Sequence, residues 1–190
     1  ARLDLFDNLS KVWPAWEITY DTVAAKPLDY VKNPSSVRVV ESGPARVSVE
    51  VVRSVGDSRI VQRIRLAAGS DRVEFDTDAD WRSKERLLKA TFPLAVSNAK
   101  ATYDLGLGTI QRGNNTEALY EVPAQQWADI TTPDAAYGVS IMNDCRYGWD
   151  KPDESTLRLT LLHTPKPGSY SDQALLDIGR HRFTYAVSGH

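Results

Sequence analysis

A two-residue alternation of apolar and polar side chains, broken at short intervals by turn residues, constrains this chain more than any other feature of its sequence. At residues 46–51 the valines at every second position fall on one face of an extended strand, and residues 60–66 repeat the pattern. Gly56, between them, supplies the positive φ that a tight hairpin turn needs. After a second turn at 68–71, residues 72–76 alternate again. These three segments predict an antiparallel meander.

Later segments also predict short strands at close spacing: 86–94, 99–105, 118–122, 138–143, 156–162 and 181–187. About nine strands without an amphipathic helix favour a mainly β fold, an antiparallel sandwich of two packed sheets. Two polar stretches that contain glycine and proline, at 144–155 and 165–172, are predicted to be loops.

The opening segment, residues 1–35, differs from the rest of the chain. We expect it to be an irregular N-terminal arm, packed on a β-sandwich domain that spans residues 36–190. Because exposing two tryptophans to water is costly, Trp13 and Trp16 are expected to anchor this arm to the core. A chain of 190 residues is long enough to bury such a core without disulfide staples.

Composition excludes several classes of protein. The formal net charge of −2 lacks the basic surplus of a nucleic-acid-binding protein. No apolar run reaches the roughly 18 residues of a membrane span. The single cysteine, Cys145, cannot form an internal disulfide, which favours a reducing compartment and a cytoplasmic location. The chain begins at Ala1, without Met or a signal-like apolar stretch, which indicates a processed chain or an excised piece.

The residues by themselves carry no complete catalytic set. Asp76, Asp78 and Asp80 share one strand face and could bind a hard cation such as Ca²⁺. However, no glycine or later glutamate stands at EF-hand spacing, and a solvated strand edge is the alternative. Cys145 would need a histidine base within reach to act as a nucleophile, and a buried, inert thiol is the alternative. We predict neither a catalytic residue nor a metal ligand in this chain.

Six sequence blocks stand in order over residues 71–187. They are VEFDTDADW at 73–81 with LLKATFPL at 87–94, YDLGLGTIQR at 103–112, WADI at 127–130, YGVSIMNDCRYG at 137–148, LRLTLL at 157–162 and DIGRHRFTYA at 177–186. Together they resemble glycoside hydrolase family 38, the zinc-dependent α-mannosidases. The similarity is to the C-terminal β-domain of that family, which has a galactose-mutarotase-like supersandwich fold. A supersandwich usually has more than nine strands, which leaves open that partner strands lie outside this chain.

The resemblance implies a retaining enzyme in which an aspartate nucleophile forms a glycosyl-enzyme and a second carboxyl group protonates the leaving oxygen. It also implies a zinc ion that holds sugar hydroxyls. In the family the nucleophile and most zinc ligands belong to an N-terminal α/β domain and a helical segment, neither of which is recognisable here. We therefore expect a fragment that is inactive alone and needs no cofactor of its own, with zinc bound only in the full-length enzyme. The implied partners are its own N-terminal catalytic domain and, through the full-length enzyme, α-mannoside glycans.

A β-domain of this kind can still line the substrate cleft, because function concentrates on loops held by rigid sheets. The polar loop that follows residues 138–143 offers groups that bind sugar hydroxyls, and the turn before 181–187 offers a second patch. The cleft candidates in these two places are Asn143, Asp144, Arg146, Tyr147, Asp177 and His181. The alternative is that Asn143 and Asp144 only cap a turn through side-chain bonds to the backbone.

Two further functions stay open at this point. A stand-alone carbohydrate-binding module would need exposed aromatic platforms, for which Trp81, Trp127 and Trp149 are the candidates. A structural interaction module would stabilise a domain interface or a homo-oligomer, and it would show a large apolar patch where its partner docks.

Overall fold

The computed structural model describes residues 1–166 and 176–190, and within them the chain is almost entirely β-structure. The strands and the single short helix of these residues are β1 (Arg2–Asp7), α1 (Tyr20–Ala24), β2 (Ser36–Ser42), β3 (Arg46–Val55), β4 (Ser58–Ala67), β5 (Arg72–Trp81), β6 (Arg86–Pro93), β7 (Ala101–Asp104), β8 (Thr109–Arg112), β9 (Val122–Pro123), β10 (Trp127–Thr131), β11 (Gly138–Asn143), β12 (Gly148–Asp153), β13 (Thr156–Thr164) and β14 (Gly179–Gly189).

These strands form two antiparallel sheets. The smaller sheet has five strands in the order β1-β6-β13-β12-β9, and the larger has nine in the order β2-β3-β4-β5-β14-β11-β10-β7-β8. The hairpin predicted around Gly56 is present, since Val55 pairs with Ser58 where β3 turns into β4. The predicted mainly β antiparallel sandwich is confirmed.

The core lies between the two sheets and is built from the apolar rows that the alternation creates. Phe75 and Tyr185 of the larger sheet stack with their ring centroids 4.9 Å apart, and Phe92 of the smaller sheet meets both rings edge-on. Trp81 is fully buried, and its indole Nε1 donates to the Thr164 hydroxyl at 2.7 Å. This hydrogen bond joins the two sheets at the end of β5 and β13.

The larger sheet extends beyond the smaller one at its β2 edge. Val37, Val39, Val47 and Leu66 lie on the same sheet face as the buried Ile60, yet they are between 41% and 68% exposed. This overhang is an uncovered apolar row, because the five-stranded sheet does not reach it.

The outer face of the smaller sheet is covered by the segment that connects β1 to β2. In this segment α1 buries Thr22 and Val23 and contacts β1 and β12, while Asp29 pairs with the open edge of β1 by accepting the backbone N–H of Leu5 at 2.8 Å. Burial on both faces explains why nearly every residue of β6 is inaccessible to solvent. Within residues 1–166 and 176–190, no helix has the length and apolar character that crossing a membrane requires.

The prediction that residues 1–35 are irregular is wrong at Arg2–Asp7, which is β1 of the smaller sheet and pairs along its length with β6. Leu3 and Leu5 point into the core, and Asp4 between them is buried because the Thr91 hydroxyl donates to its carboxylate at 2.7 Å. Because of this buried carboxylate, the sequence of β1 has the pattern of a strand with one face in water, although both of its faces are buried. The division into an arm and a domain at residue 35 stays a prediction.

The prediction that Trp13 and Trp16 anchor the arm is also wrong. Their side chains are 48% and 71% exposed, and the two rings stack on each other at 5.0 Å and 24° instead of entering the core. Each ring covers part of the other, which reduces the cost of leaving both at the surface.

The structure corrects one predicted loop and one predicted strand, and it describes only the first residues of a second predicted loop. Within 144–155, residues Gly148–Asp153 form β12, where Lys151 is buried and its Nζ donates to the backbone carbonyls of Asn98 and Asp153 at 2.7 and 2.8 Å. Of the predicted strand 118–122, only Val122 joins a strand, the two-residue β9. The predicted loop at 165–172 lies outside the described residues from position 167 onward.

Replacing Trp81 with phenylalanine should lower the free energy of unfolding by about 1–3 kcal/mol, because the buried Thr164 hydroxyl then loses its donor. Urea unfolding monitored by circular dichroism measures this change. The matched control is Trp16→Phe at an exposed ring, for which we expect a change within about 0.5 kcal/mol. Equal effects of the two substitutions would show that the link between the sheets contributes nothing.

Candidate functional site

Four of the predicted cleft residues lie on one turn, which connects β11 to β12. Asn143 closes this turn: its Oδ1 accepts the backbone N–H of Arg146 at 2.6 Å, and its Nδ2 donates to the carbonyls of residues 125–126 at 3.2 and 3.3 Å. Asp144 fixes the turn to β14, because its carboxylate accepts the backbone N–H of Thr184 at 3.0 Å. The turn-capping alternative therefore describes the contacts of both residues, and their role at a substrate cleft stays a prediction.

Arg146 and Tyr147 have different surroundings although they are neighbours on this turn. The Arg146 guanidinium lies 4.3 Å from the ring centroid of Phe183 and caps one end of the core. Tyr147 is 54% exposed. Tyr147 offers a ligand an accessible aromatic face with a hydroxyl at its tip.

The second predicted patch lies at the start of β14. His181 Nε2 is 2.7 Å from the Asp177 carbonyl oxygen, and the Asp177 carboxylate accepts the backbone N–H of His163 at 3.0 Å. These contacts hold Asp177 at a φ of 60°, in the left-handed region. His181 and Thr184 are three residues apart on β14, about 10 Å by strand rise, so the two patches are neighbours but do not form one site.

A groove of about 970 Å³ lies between residues 15–18 of the N-terminal segment and residues 118–123. Tyr147 from the first patch lines it, and so does His163, whose backbone is bonded to the second patch. The described lining residues that carry aromatic rings, carboxylates or a hydroxyl are Trp16, Glu17, Tyr120, Glu121, Tyr147 and Thr160. This mixture is typical of a pocket for a small polar ligand.

Sequence reasoning missed the most exposed aromatic residue of this groove, Trp16. It named Trp81, Trp127 and Trp149 as platforms for a carbohydrate, but Trp81 and Trp149 are completely buried and Trp127 is partly buried. The sequence feature that could have indicated an exposed ring at Trp16 is its position in a proline-containing segment without strand periodicity.

A network of buried charges lies next to the groove and bonds two of its lining residues, Glu121 and Thr160. Lys89 is completely buried on β6, and its Nζ bonds the Glu121 carboxylate and lies 2.8 Å from Asp150 Oδ1. Arg158 on β13 bonds the same Asp150 through Nε at 2.8 Å and also through Nη2. Although burial alone would raise the pKa of Asp150, the charges of Lys89 and Arg158 hold that pKa below its usual range. The carboxylate is therefore ionised at neutral pH.

The same network fastens two segments of the chain that cover the smaller sheet. Arg158 Nη2 donates to the carbonyl of Val23 in the N-terminal segment at 2.7 Å, and the guanidinium lies 5.2 Å from the ring centroid of Phe6. In the second segment, Asn115 donates from its side-chain amide to Asp150 at 2.8 Å. Both covering segments are thus held by the buried charges.

His163 is the titratable side chain of the groove with the largest change in pKa. Burial lowers its pKa to about 4; the nearby Asp177 opposes this shift, and the charge of Lys89 adds to it. Its Nε2 is buried and has no hydrogen-bond partner among the described residues. The imidazole is therefore neutral at pH 7.

The candidate cation site on β5 is occupied by ion pairs within the protein. Each of its three carboxylates meets an arginine: Asp76 pairs with Arg65 at 2.7 Å, Asp78 with Arg180 at 3.1 Å and Asp80 with Arg82 at 2.7 Å. In the described ranges, no three His, Cys, Asp or Glu side chains are grouped so that they could hold a metal ion. The residues present therefore do not fit a zinc site.

Cys145 shows the surroundings of an unreactive thiol. Burial first, and then the hydrogen bond with Asp144, raise the pKa of the Cys145 thiol. A raised pKa favours the protonated form, which is a poor nucleophile. The alternative of an inert thiol is the one that these contacts support.

Solved structures share this fold. A glycosyl hydrolase family 38 protein from Enterococcus faecalis superposes with a TM-score of 0.79, covering 100% of this chain and 26% of that chain at 14% identity. An α-mannosidase from Enterococcus faecalis V583 superposes with a TM-score of 0.78, also at 14% identity, over 25% of its chain. At this identity the similarity shows the fold alone, a β-sandwich domain of the type found in glycosyl hydrolases.

Curated relatives are named α-mannosidases. Alpha-mannosidase 2C1 of Mus musculus is 33% identical over 193 residues, which cover 98% of this chain. Alpha-mannosidase G of Dictyostelium discoideum is 31% identical over 199 residues, which cover the whole chain. The chain spans only 18% and 17% of the lengths of these two relatives.

The family model described as "Glycosyl hydrolases family 38 C-terminal domain" matches residues 1–170. The chain therefore belongs to glycosyl hydrolase family 38, as a C-terminal domain of its α-mannosidases. The resemblance found in the sequence is confirmed.

Replacing Asp150 with asparagine should lower the free energy of unfolding by about 3–5 kcal/mol, because the buried Arg158 then loses its negative partner and the buried Lys89 keeps only Glu121. Denaturant titration of the 190-residue chain measures this loss. The control is Asp80→Asn at an exposed pair with Arg82, for which we expect less than about 1 kcal/mol. A loss below that value for Asp150→Asn would contradict the central role of the buried network.

Acidification should destabilise the protein through His163. Its folded-state pKa is lowered, so the unfolded chain takes up the proton first, and stability falls as the pH drops from about 6.5 to about 4. The full effect is about 3 kcal/mol at most and does not grow below that range. His163→Gln should flatten the stability curve in this window, whereas His181→Gln, which removes an imidazole from the neighbouring turn, should leave it in place. Parallel curves for wild type and His163→Gln would refute this assignment.

Proposed function

We propose that this chain is the non-catalytic β-sandwich portion of a retaining, zinc-dependent α-mannosidase that removes terminal α-mannosyl residues. The family-model match over residues 1–170 carries this proposal, and the names of the curated relatives support the substrate class. In this proposal the domain supports and partly lines a cleft that the N-terminal catalytic domain builds.

The contacts of the groove support a non-catalytic role. A retaining glycosidase needs two carboxyl groups about 5 Å apart, one of them free to protonate the leaving oxygen. In the groove, both oxygens of Glu121 are already engaged, one by Lys89 and the other by the Thr160 hydroxyl. The nucleophile and the acid are therefore proposed to come from the N-terminal domain.

The turn between β11 and β12 is the part of the domain that we propose to face the substrate cleft. Asn143 and Asp144 hold its backbone, and this leaves the Tyr147 ring presented from a rigid support. Asp177 and His181, which brace β13 and β14 next to it, are proposed to border the same cleft. Their role is to position the turn and offer polar groups, not to take part in bond cleavage.

Zinc is proposed to bind in the full-length enzyme to residues of the catalytic domain, where it would hold sugar hydroxyls. The proposed partners are that domain and, through the full-length enzyme, α-mannoside glycans; association of several copies is an alternative for the overhang at β2. A cytoplasmic location is proposed because the only cysteine cannot form an internal disulfide.

A chimera tests this function. The region of the Saccharomyces cerevisiae α-mannosidase that matches this chain, at 28% identity over 199 residues, is replaced by the present 190-residue chain. We expect the chimera to hydrolyse an aryl α-mannoside, to lose this activity with a zinc chelator, and to regain it when zinc is added. The same yeast enzyme lacking the region is the control and should be inactive.

Two results would contradict the proposal. Hydrolysis of the aryl α-mannoside by the 190-residue chain alone would show that it is catalytic. A chimera that is folded, as judged by its thermal transition, but inactive would show that this sandwich cannot serve an α-mannosidase.

A further inference from the structure

We propose that the groove between residues 15–18 and residues 118–123 binds a neutral pyranoside, with one sugar face stacked on the rings of Trp16 and Tyr147. The choice of a mannoside as the first ligand to test rests on the proposed function, but the groove's preference for a pyranose follows from its own chemistry.

The aromatic rings of the groove are exposed and already in place. Trp16 is 71% exposed and Tyr147 is 54% exposed, although large aromatic surfaces normally find cover in a folded protein. Trp13 stacks on Trp16 with ring centroids 5.0 Å apart, which restricts the Trp16 ring before any ligand arrives. A ring that is fixed in advance costs a ligand little conformational entropy on binding.

The polar groups of the groove favour a ligand that has hydroxyl groups to donate and that carries no negative charge. Among the described lining residues no lysine or arginine is present, and the carboxylate available to a ligand is that of Glu17, because Lys89 and the Thr160 hydroxyl engage both oxygens of Glu121. Glu17 uses Oε1 to accept the Ser10 hydroxyl at 2.9 Å, and a carboxylate has further lone pairs for other donors. Acceptors of this kind bind sugar hydroxyls and repel phosphate or carboxylate groups.

The combination of exposed aromatic rings and a carboxylate acceptor fits a sugar better than an apolar peptide. A pyranose presents C–H groups on one face, which pack on an aromatic ring, and hydroxyls around its rim, which donate to carboxylates. The groove volume of about 970 Å³ lies within the range of small-molecule sites. Two of its lining residues, Glu121 and Thr160, are bonded to the buried Lys89, which fixes their positions before a ligand binds.

The test is a titration of the 190-residue chain followed by NMR of the tryptophan indole N–H groups. The chain has five tryptophans, of which Trp81 and Trp149 are fully buried and serve as internal references. The ligands are methyl α-mannopyranoside, α-1,2-mannobiose and maltose, each up to 50 mM. We expect the Trp16 signal to shift with saturation while the Trp81 and Trp149 signals stay in place.

Substitutions assign the binding to the groove. Trp16→Ala and Tyr147→Ala should each weaken binding about tenfold, because each removes one stacking surface from the sugar. Tyr137→Ala is the matched control: Tyr137 is 43% exposed and is not among the described lining residues of the groove, so its removal should leave the affinity unchanged. The unshifted Trp81 and Trp149 signals verify that each variant is folded.

Three outcomes would overturn the proposal. The first is the absence of any shift at Trp16 with all three sugars, in the folded wild-type chain. The second is a sugar affinity, measured by calorimetry or from the indole signal of the neighbouring Trp13, that Trp16→Ala and Tyr147→Ala leave unchanged. The third is that Trp16→Ala abolishes self-association in sedimentation experiments while no sugar binds, which would make the groove a protein-docking surface.

These results are independent of the chimera test. An active chimera together with a groove that binds no sugar would refute only the groove proposal. An inactive, folded chimera together with sugar binding at Trp16 would refute only the α-mannosidase role, and the preferred sugar of the titration would then indicate the ligand class.

Discussion

The ionised carboxylate of Asp150, enclosed by Lys89 and Arg158, is the interaction on which the outer layer of this domain depends. Burying three charges is costly and is tolerated only where each charge meets an opposite charge and its remaining hydrogen-bonding groups are satisfied. Here the remaining bonds go to the chain segments that cover the sheet, through the Val23 carbonyl and the Asn115 amide. The cover can therefore not move without exposing or unpairing a buried charge, and the groove inherits this rigidity.

The sequence predicts those strands whose two faces differ in polarity. In β3, β4 and β5 the outward positions are mostly polar or charged and the inward ones mostly apolar, so alternation is visible in the sequence. Alternation does not identify β1 and β12. Both faces of these strands are buried, and charged side chains are among the buried residues. The sequence does not show whether a lysine such as Lys151 is solvated or is buried and bonded to backbone carbonyl groups. That depends on contacts that form only in the folded chain.

The sequence predicts that residues 143–147 follow a strand and form one polar loop, and they do form one turn; that this turn lines a substrate cleft stays a prediction. The partners of Asn143 and Asp144 come from residues 125–126 and from Thr184, which no local pattern indicates. The burial rule for tryptophan failed at Trp16 because a second tryptophan, not the core, covers part of the ring. The family, in contrast, was recognisable from the order of short blocks along the chain, which records shared ancestry and does not require knowledge of contacts.

The overhanging edge of the larger sheet affects how the separated domain can be handled. β2 ends the described sheet with backbone groups that have no strand beside them, next to valines that are more than half exposed at positions 37 and 39. Edges of this kind template pairing between molecules, and natural sheets restrain it with charges. Here Arg38, paired with Glu50, and the Arg46–Glu41 pair serve that purpose. The solubility of the isolated domain is therefore limited by this edge, and concentrated salt, which screens the protecting charges, lowers the limit.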